Sequence, residues 1–149
     1  MMESSLKSLA LTMRILKCAF VVSGLLFVYI GFKVLPQPTD QASHAIQAAI
    51  TFVGLVCVIG GFSLPGLLFR GVESRSQNAT AEARLQLWMK KSIVSLAFFE
   101  ASILFGLELH LLGGRTALAG LLMGAGIAAE LIWSPGAPPG PEGGEFPQG

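Results

Sequence analysis

The sequence predicts an all-α integral membrane protein, a bundle of four transmembrane helices, and three observations carry that reading. Of 149 residues, 52% are hydrophobic and 13% are charged, where an ordinary soluble domain has roughly 25% charged. The mean hydropathy is +0.66. The apolar residues are also gathered into long runs, each close to the roughly 20 residues that a helix needs to cross about 30 Å of hydrocarbon.

The first run, CAFVVSGLLFVYIGFKVL, gives a span over residues 15–35 with Lys17 and Lys33 at its ends, where long side chains reach the headgroups. Basic residues precede it as they would a signal peptide. No small-residue cleavage site follows, so the run reads as an uncleaved first span. The second span, residues 47–69, carries no charge and contains Gly60, Gly61 and Pro65, which should bend it or loosen its far end. Polar residues then intervene. Within them Thr80 is placed to cap an amphipathic surface helix over 81–91, with Glu82 in its first turn and Lys90 and Lys91 at its end.

Residues 92–112 form the third span and 116–133 the fourth, TALAGLLMGAGIAAELIW, and the short Gly-Gly-Arg connection between them demands a tight antiparallel hairpin. Beyond Ser134 the composition turns to PGAPPGPEGGEFPQG, which cannot build a core, so 135–149 reads as a disordered tail after a membrane domain of 1–134. Lys7, Arg14, Lys17, Arg70, Arg75, Arg84, Lys90 and Lys91 fall on one side of this arrangement, and Lys33 and Arg115 on the other. The positive-inside rule puts both termini in the cytoplasm, in a plasma membrane of bacterial type. In that orientation the sequon at Asn78 faces the cytoplasm and is not a glycosylation site.

The net charge of +1 and the scatter of basic residues exclude a nucleic-acid interface. Cys18 and Cys57 are about 12 Å apart in depth at helical rise, whereas a disulfide needs Cα atoms within about 7 Å; both read as small buried hydrophobes. No CxxC, HExxH, GxSxG or GxxxxGK pattern occurs. The sequence therefore offers no catalytic residue, no metal site and no cofactor site, and the partners it implies are the lipid bilayer, a second copy of the chain or another membrane protein.

The informative residues are the polar ones inside the apolar runs. Glu100 lies eight residues beyond Ser92, about 12 Å into the hydrocarbon, where an isolated carboxylate costs at least roughly 2.5 to 3.5 kcal/mol. The usual relief is to bind a proton or to find a partner. Folding the hairpin about Gly113 and Gly114 brings Glu130 within about one turn of the same depth, so the two carboxyls can share a proton if both face inward. If Glu130 faces outward it sits at the membrane surface beside Trp133. Ser95 and Ser102 are the nearby polar companions. Glu108 and His110, close to Lys33 and Arg115, read either as interfacial groups in salt bridges or as a proton relay. Gly120 and Gly124 stand in a GxxxG spacing, which Gly126 extends towards Glu130, and so define a helix-packing face.

The segment FFEASILFGL, Phe98 to Leu107, resembles the carboxylate-bearing helix of the ATP synthase c subunit and the V-type proteolipid, with Glu100 at the ion-carrying position and Phe105, Gly106 and Leu107 downstream. The resemblance covers ten residues, and here the glycine-rich helix follows the Glu-bearing one. It implies a proton- or ion-handling subunit. In overall architecture, four spans with a membrane Glu, the chain is also similar to the small multidrug transporters, whose Glu is on the first span. Three functional classes stand side by side: a non-catalytic accessory, packing or assembly subunit; a proton- or ion-handling subunit using Glu100 with Glu130; and a small multidrug-type transporter.

Overall fold

The computed structural model describes residues 2–36, 38, 42–71 and 80–136. It is all-α: α1 (Met2–Tyr29) continues into a π-helical turn (Ile30–Val34), followed by α2 (His44–Leu68), α3 (Ala81–Leu111) and α4 (Thr116–Ile132). Three of these helices are long and apolar enough to cross a membrane, and α4 is a shorter apolar helix of 17 residues. The expected disorder of the tail, from residue 137, and the Asn78 sequon lie outside the described residues.

The surface helix expected over 81–91 and the span from 92 are one helix. Nothing in AEARLQLWMKKSIVSLAFFEASILFGLELHL breaks a helix, so α3 runs unbroken for 31 residues, about 46 Å at helical rise. The Thr80 hydroxyl does cap it, accepting from the Ala83 N–H at 3.4 Å. Pro65 sits in the last turn of α2 without ending it, and the chain leaves the helix at Phe69.

α3 is the axis of the bundle, packed along α2 on one side and α4 on the other, with α1 lying less tightly against α3 and α4. Its buried positions, Ser92, Ser95, Leu96, Phe99, Ser102, Ile103, Gly106, Leu109 and His110, recur at three- and four-residue steps, the spacing of one helix face. Glycines on the neighbours receive its large side chains: a Cβ on Gly61 would overlap the Phe99 ring, and one on Gly126 would stand 2.5 Å from Ile103 Cγ1 and 2.8 Å from the Phe99 carbonyl. α4 buries Ala119, Leu122, Met123, Gly126, Ala129 and Glu130.

That face corrects the expected packing surface. Gly126 lies on it, but Gly120 and Gly124 do not: a Cβ on Gly120 would meet only Phe32 Cζ at 3.9 Å, and one on Gly124 would meet nothing within 4 Å. Two residues along a helix turn the side chain through about 200°, so Gly124 and Gly126 cannot share one interface. The contact expected of Gly120 is made by Gly106, whose Cβ would be 2.8 Å from the Ala119 carbonyl.

The α3–α4 hairpin is closed by its own backbone. Gly113 adopts φ 71, and the N–H groups of Gly113 and Gly114 donate to the carbonyls of His110 and Leu109 at 3.1 and 2.8 Å, a Schellman ending that favours glycine at the left-handed position. The buried amide of Gln47 ties α2 to this turn, donating to the Ala42 carbonyl at 2.8 Å and accepting from the Arg115 N–H at 3.3 Å. Outside the bundle, Leu11, Ile15, Val22, Leu25, Phe52, Ile59 and many others leave large apolar faces on α1 and α2, more than a water-soluble monomer tolerates.

Candidate functional site

The polar residues of the bundle gather where α1, α3 and α4 meet. Glu130, on the buried face of α4, is 0% exposed and lies within hydrogen-bonding reach of Glu100. Glu100, half-buried on α3, accepts from the Ser23 hydroxyl of α1, with 2.6 Å between Ser23 Oγ and Glu100 Oε1. The α1 backbone passes close by at Gly24, where a Cβ would stand 3.8 Å from Glu100 Oε2. Neither oxygen of Glu130, nor Oε2 of Glu100, is given an N–H or O–H by any other residue described. Two carboxylates facing each other without a donor repel; one proton between them turns the same arrangement into a hydrogen bond.

A cation stands at the edge of this pair. Lys17 of α1 turns its ammonium to the end of α4 and donates to the carbonyls of Leu131 and Trp133 at 3.1 and 2.6 Å. Those are carbonyls that a helix leaves without partners, at the negative end of its dipole. From there its charge acts on Glu130. Aromatic rings close the same end: Trp133 meets Phe99 at 6.2 Å and Phe99 meets Phe62 at 4.9 Å. The Trp88 indole donates to the Pro135 carbonyl at 2.7 Å, which fastens the residues after α4 to α3.

Of the residues singled out in the sequence, Glu100 and Glu130 are brought together by the hairpin. Ser102 does not join them, since its hydroxyl donates to the Leu122 carbonyl at 3.2 Å and serves the α3–α4 contact. Glu108 and His110 separate from each other and from the carboxyl pair. Glu108 is exposed, and no ion pair joins it to Lys33 or Arg115 among the described residues. His110 is 4% exposed and meets the Phe32 ring at a tilt of 56°, with centroids 4.9 Å apart. One helical turn of α3 carries both residues, and two positions' difference aims one outwards and the other inwards.

Sequence reasoning missed Ser23 and Lys17 as members of the site. The one trace of Ser23 is that it is the only serine in the first apolar run, where a hydroxyl has to find an acceptor. Among the described residues no three His, Cys, Asp or Glu side chains converge as a metal site would require. Cys18 is exposed on α1, not buried as its run suggested, while Cys57 is buried; both are free thiols. Comparison with family models, with curated proteins and with solved structures finds no match.

Proposed function

We propose that the chain is a non-enzymatic, four-span subunit of a bacterial-type plasma membrane, with both termini in the cytoplasm, and that Glu100 and Glu130 hold and exchange a proton within the bundle. The observation that carries the reading is the fully buried Glu130 carboxyl directed at Glu100 with no other donor for its oxygens. Hydrocarbon excludes an unpaired carboxylate, and a proton shared within the pair removes one charge while supplying the missing donor. Ser23 holds Glu100 from the α1 side, and Lys17 offsets negative charge on the pair from the α4 end.

The topology rests on the eight-to-two division of Lys and Arg. α4 supports the fourth span by its place in the hairpin and its apolar sequence: 17 residues are about 25 Å, at the lower end of what crosses a bilayer. The local resemblance of Phe98–Leu107 to the proteolipid helix is in keeping with a proton-handling role, and a membrane partner is where such a subunit would deliver its effect.

A second reading is favoured by the same contacts. Ser23 and Lys17 both fasten α1 to the α3–α4 hairpin, which is what a packing or assembly subunit requires of a buried polar network. Glu100→Gln and Glu130→Gln separate the two, because an amide keeps shape and hydrogen bonding but does not titrate. Proton exchange predicts that wild type in lipid nanodiscs shows a protonated-carboxyl infrared band that moves with pH, that a carbodiimide labels the pair near neutral pH, that each single Gln variant folds and keeps only the signal of the remaining carboxyl, and that the double Gln variant folds while losing both signals. A pair that stays unlabelled, with Gln variants that fail to fold, would overturn proton exchange and leave the packing reading.

A further inference from the structure

α1 packs against α3 and α4 but not against α2, so the α3–α4 hairpin alone holds it. Gly24 and Gly31, seven residues apart, lie on its docking face. A Cβ on Gly24 would stand 2.7 Å from Ile103 Cδ1 and 3.3 Å from Ile127 Cγ1, and one on Gly31 would stand 2.9 Å from Leu107 Cδ1 and 3.5 Å from Met123 Cε. Leu11, Ile15, Val22, Leu25, Leu26 and Tyr29 are exposed. In lipid no hydrophobic force drives one helix onto another, which leaves close packing and polar contacts to hold α1. Packing between apolar groups is the same at every pH. Polar contacts change with the charge of what they touch.

Two such contacts join α1 to the carboxyl pair. The Ser23 hydroxyl donates to Glu100 Oε1 across 2.6 Å, and the Lys17 ammonium, held on the Leu131 and Trp133 carbonyls, acts on Glu130 by its charge. Both are strongest towards a charged pair. A hydrogen bond to a carboxylate is about twice as strong as one to a neutral acceptor, and an ammonium attracts only where negative charge remains. With one shared proton the pair keeps a negative charge and both contacts hold; with a second proton it is neutral and both weaken. The neighbouring elements bring no other charge to the pair. Glu130 is the only titratable residue of α4, and α2 has only Cys57 and, at its other end, His44. On α3 the nearest titratable residues, Lys91 and Glu108, are more than two turns from Glu100. On α1, Arg14, Cys18 and Tyr29 are exposed, and Glu3 and Lys7 precede Lys17 by ten residues or more.

We infer that α1 is a proton-controlled arm: the part that carries Lys17 and Ser23 docks on the hairpin while the carboxyl pair holds one proton, and is released when the pair takes a second. The inference rests on proton exchange within the pair. Linkage makes the coupling reciprocal, so whatever displaces α1 also changes the number of protons the pair holds. The other end of α1 stays seated, with Gly31 against Leu107 and Met123 and Phe32 against His110. The π turn, where the helical hydrogen bonding changes step, is the pivot.

The test uses the full-length chain in lipid nanodiscs, with spin labels on Cys18 of α1 and on Ile59→Cys of α2, both exposed positions, in a Cys57→Ala background. The distance between the labels is followed as the pH is lowered, beside the protonated-carboxyl infrared band. The distance should lengthen over the pH range in which that band grows. Lys17→Met, which removes one of the two contacts, should raise the released fraction at neutral pH about tenfold. The double variant Glu100→Gln, Glu130→Gln, uncharged at every pH, should show the released distance throughout. A distance that stays constant while the band titrates, or a Lys17→Met variant docked as fully as wild type, would overturn the inference and leave proton exchange standing. A distance that still follows pH in the double variant would overturn it too, by assigning the movement to another group such as His110. Should the double variant not fold, the wild-type titration and Lys17→Met decide alone. A band that ignores pH removes proton exchange, and the inference with it.

Discussion

Gly126 and Gly124 are two residues apart on one helix, and the structure assigns them opposite responses to the same substitution. Alanine at Gly126 places a methyl group 2.5 Å from Ile103 Cγ1 and 2.8 Å from the Phe99 carbonyl, where ordinary contact begins at 3.4 Å. The Ile103 side chain can turn away, but the Phe99 carbonyl is fixed in α3, so α4 must retreat by about 0.6 Å along its packed face. Overpacking of a tight contact costs about 1 to 3 kcal/mol. The opposing helix-propensity gain of alanine over glycine is at most about 1 kcal/mol, and it shrinks in a membrane, where the separated helices are already helical. The net expectation for Gly126→Ala is a loss of about 1 to 2 kcal/mol, a five- to thirty-fold shift towards the unfolded state. Alanine at Gly124 meets nothing within 4 Å and should change stability by less than about 0.5 kcal/mol. Reversible unfolding in mixed micelles, followed by the fluorescence of Trp133 beside Phe99, measures both. Equal destabilisation by the two substitutions, or none by Gly126→Ala, would refute the packing face.

Replacing Lys17 with Met removes two bonds to the end of α4 and the cation nearest Glu130; unfolding should become easier by about 1 kcal/mol, with Lys17→Arg restoring most of the loss. Truncation after Ser134 deletes the acceptor of the Trp88 indole and should cost about 1 kcal/mol, matching Trp88→Phe in the same unfolding assay, whereas truncation after Gly136 leaves that bond intact and stability unchanged. A reporter that is active only in the cytoplasm should be active when fused at Gly149 and inactive when inserted at Thr39, and the converse pattern would invert the topology.

The helical class, the four apolar segments, the Thr80 cap and the hairpin after α3 are legible in the sequence because each depends on residues close together in the chain. The Gly-Gly pair at 113 and 114 announces its own ending through local sterics. The continuity of α3 was less legible: Lys90 and Lys91 look like a boundary by charge, yet nothing in the backbone stops a helix there, and a change of solvent is not a change of conformation. The GxxxG spacing of Gly120 and Gly124 misled for a different reason. Spacing identifies residues that share a face, but which face a helix buries is decided by its neighbours. On α4 it is the face of Ala119, Leu122, Met123, Gly126 and Ala129, where larger side chains and glycine alternate to admit Ile103 and Phe99.

The candidate site divides along the same line. That Glu130 lies near the depth of Glu100 follows from counting residues back from a hairpin turn, but the count leaves open which way Glu130 faces, and that is decided by the face α4 packs against α3. The contributions of Ser23 and Lys17 could not be read from sequence, because α1 is joined to the hairpin through α2 and a polar connection, and no count of residues fixes how it docks. Those two contacts give the pair its asymmetry. Glu100 retains a neutral donor in Ser23 when Glu130 is removed, whereas among the described residues Glu130 has no bonded partner but Glu100 and feels the field of Lys17. The coupling between the two carboxyls is reciprocal, so a proton on either one shifts the other equally, and what the two contacts make asymmetric is the input: the docking of α1 reaches the pair through Ser23 at Glu100, and the charge of Lys17 reaches it at Glu130.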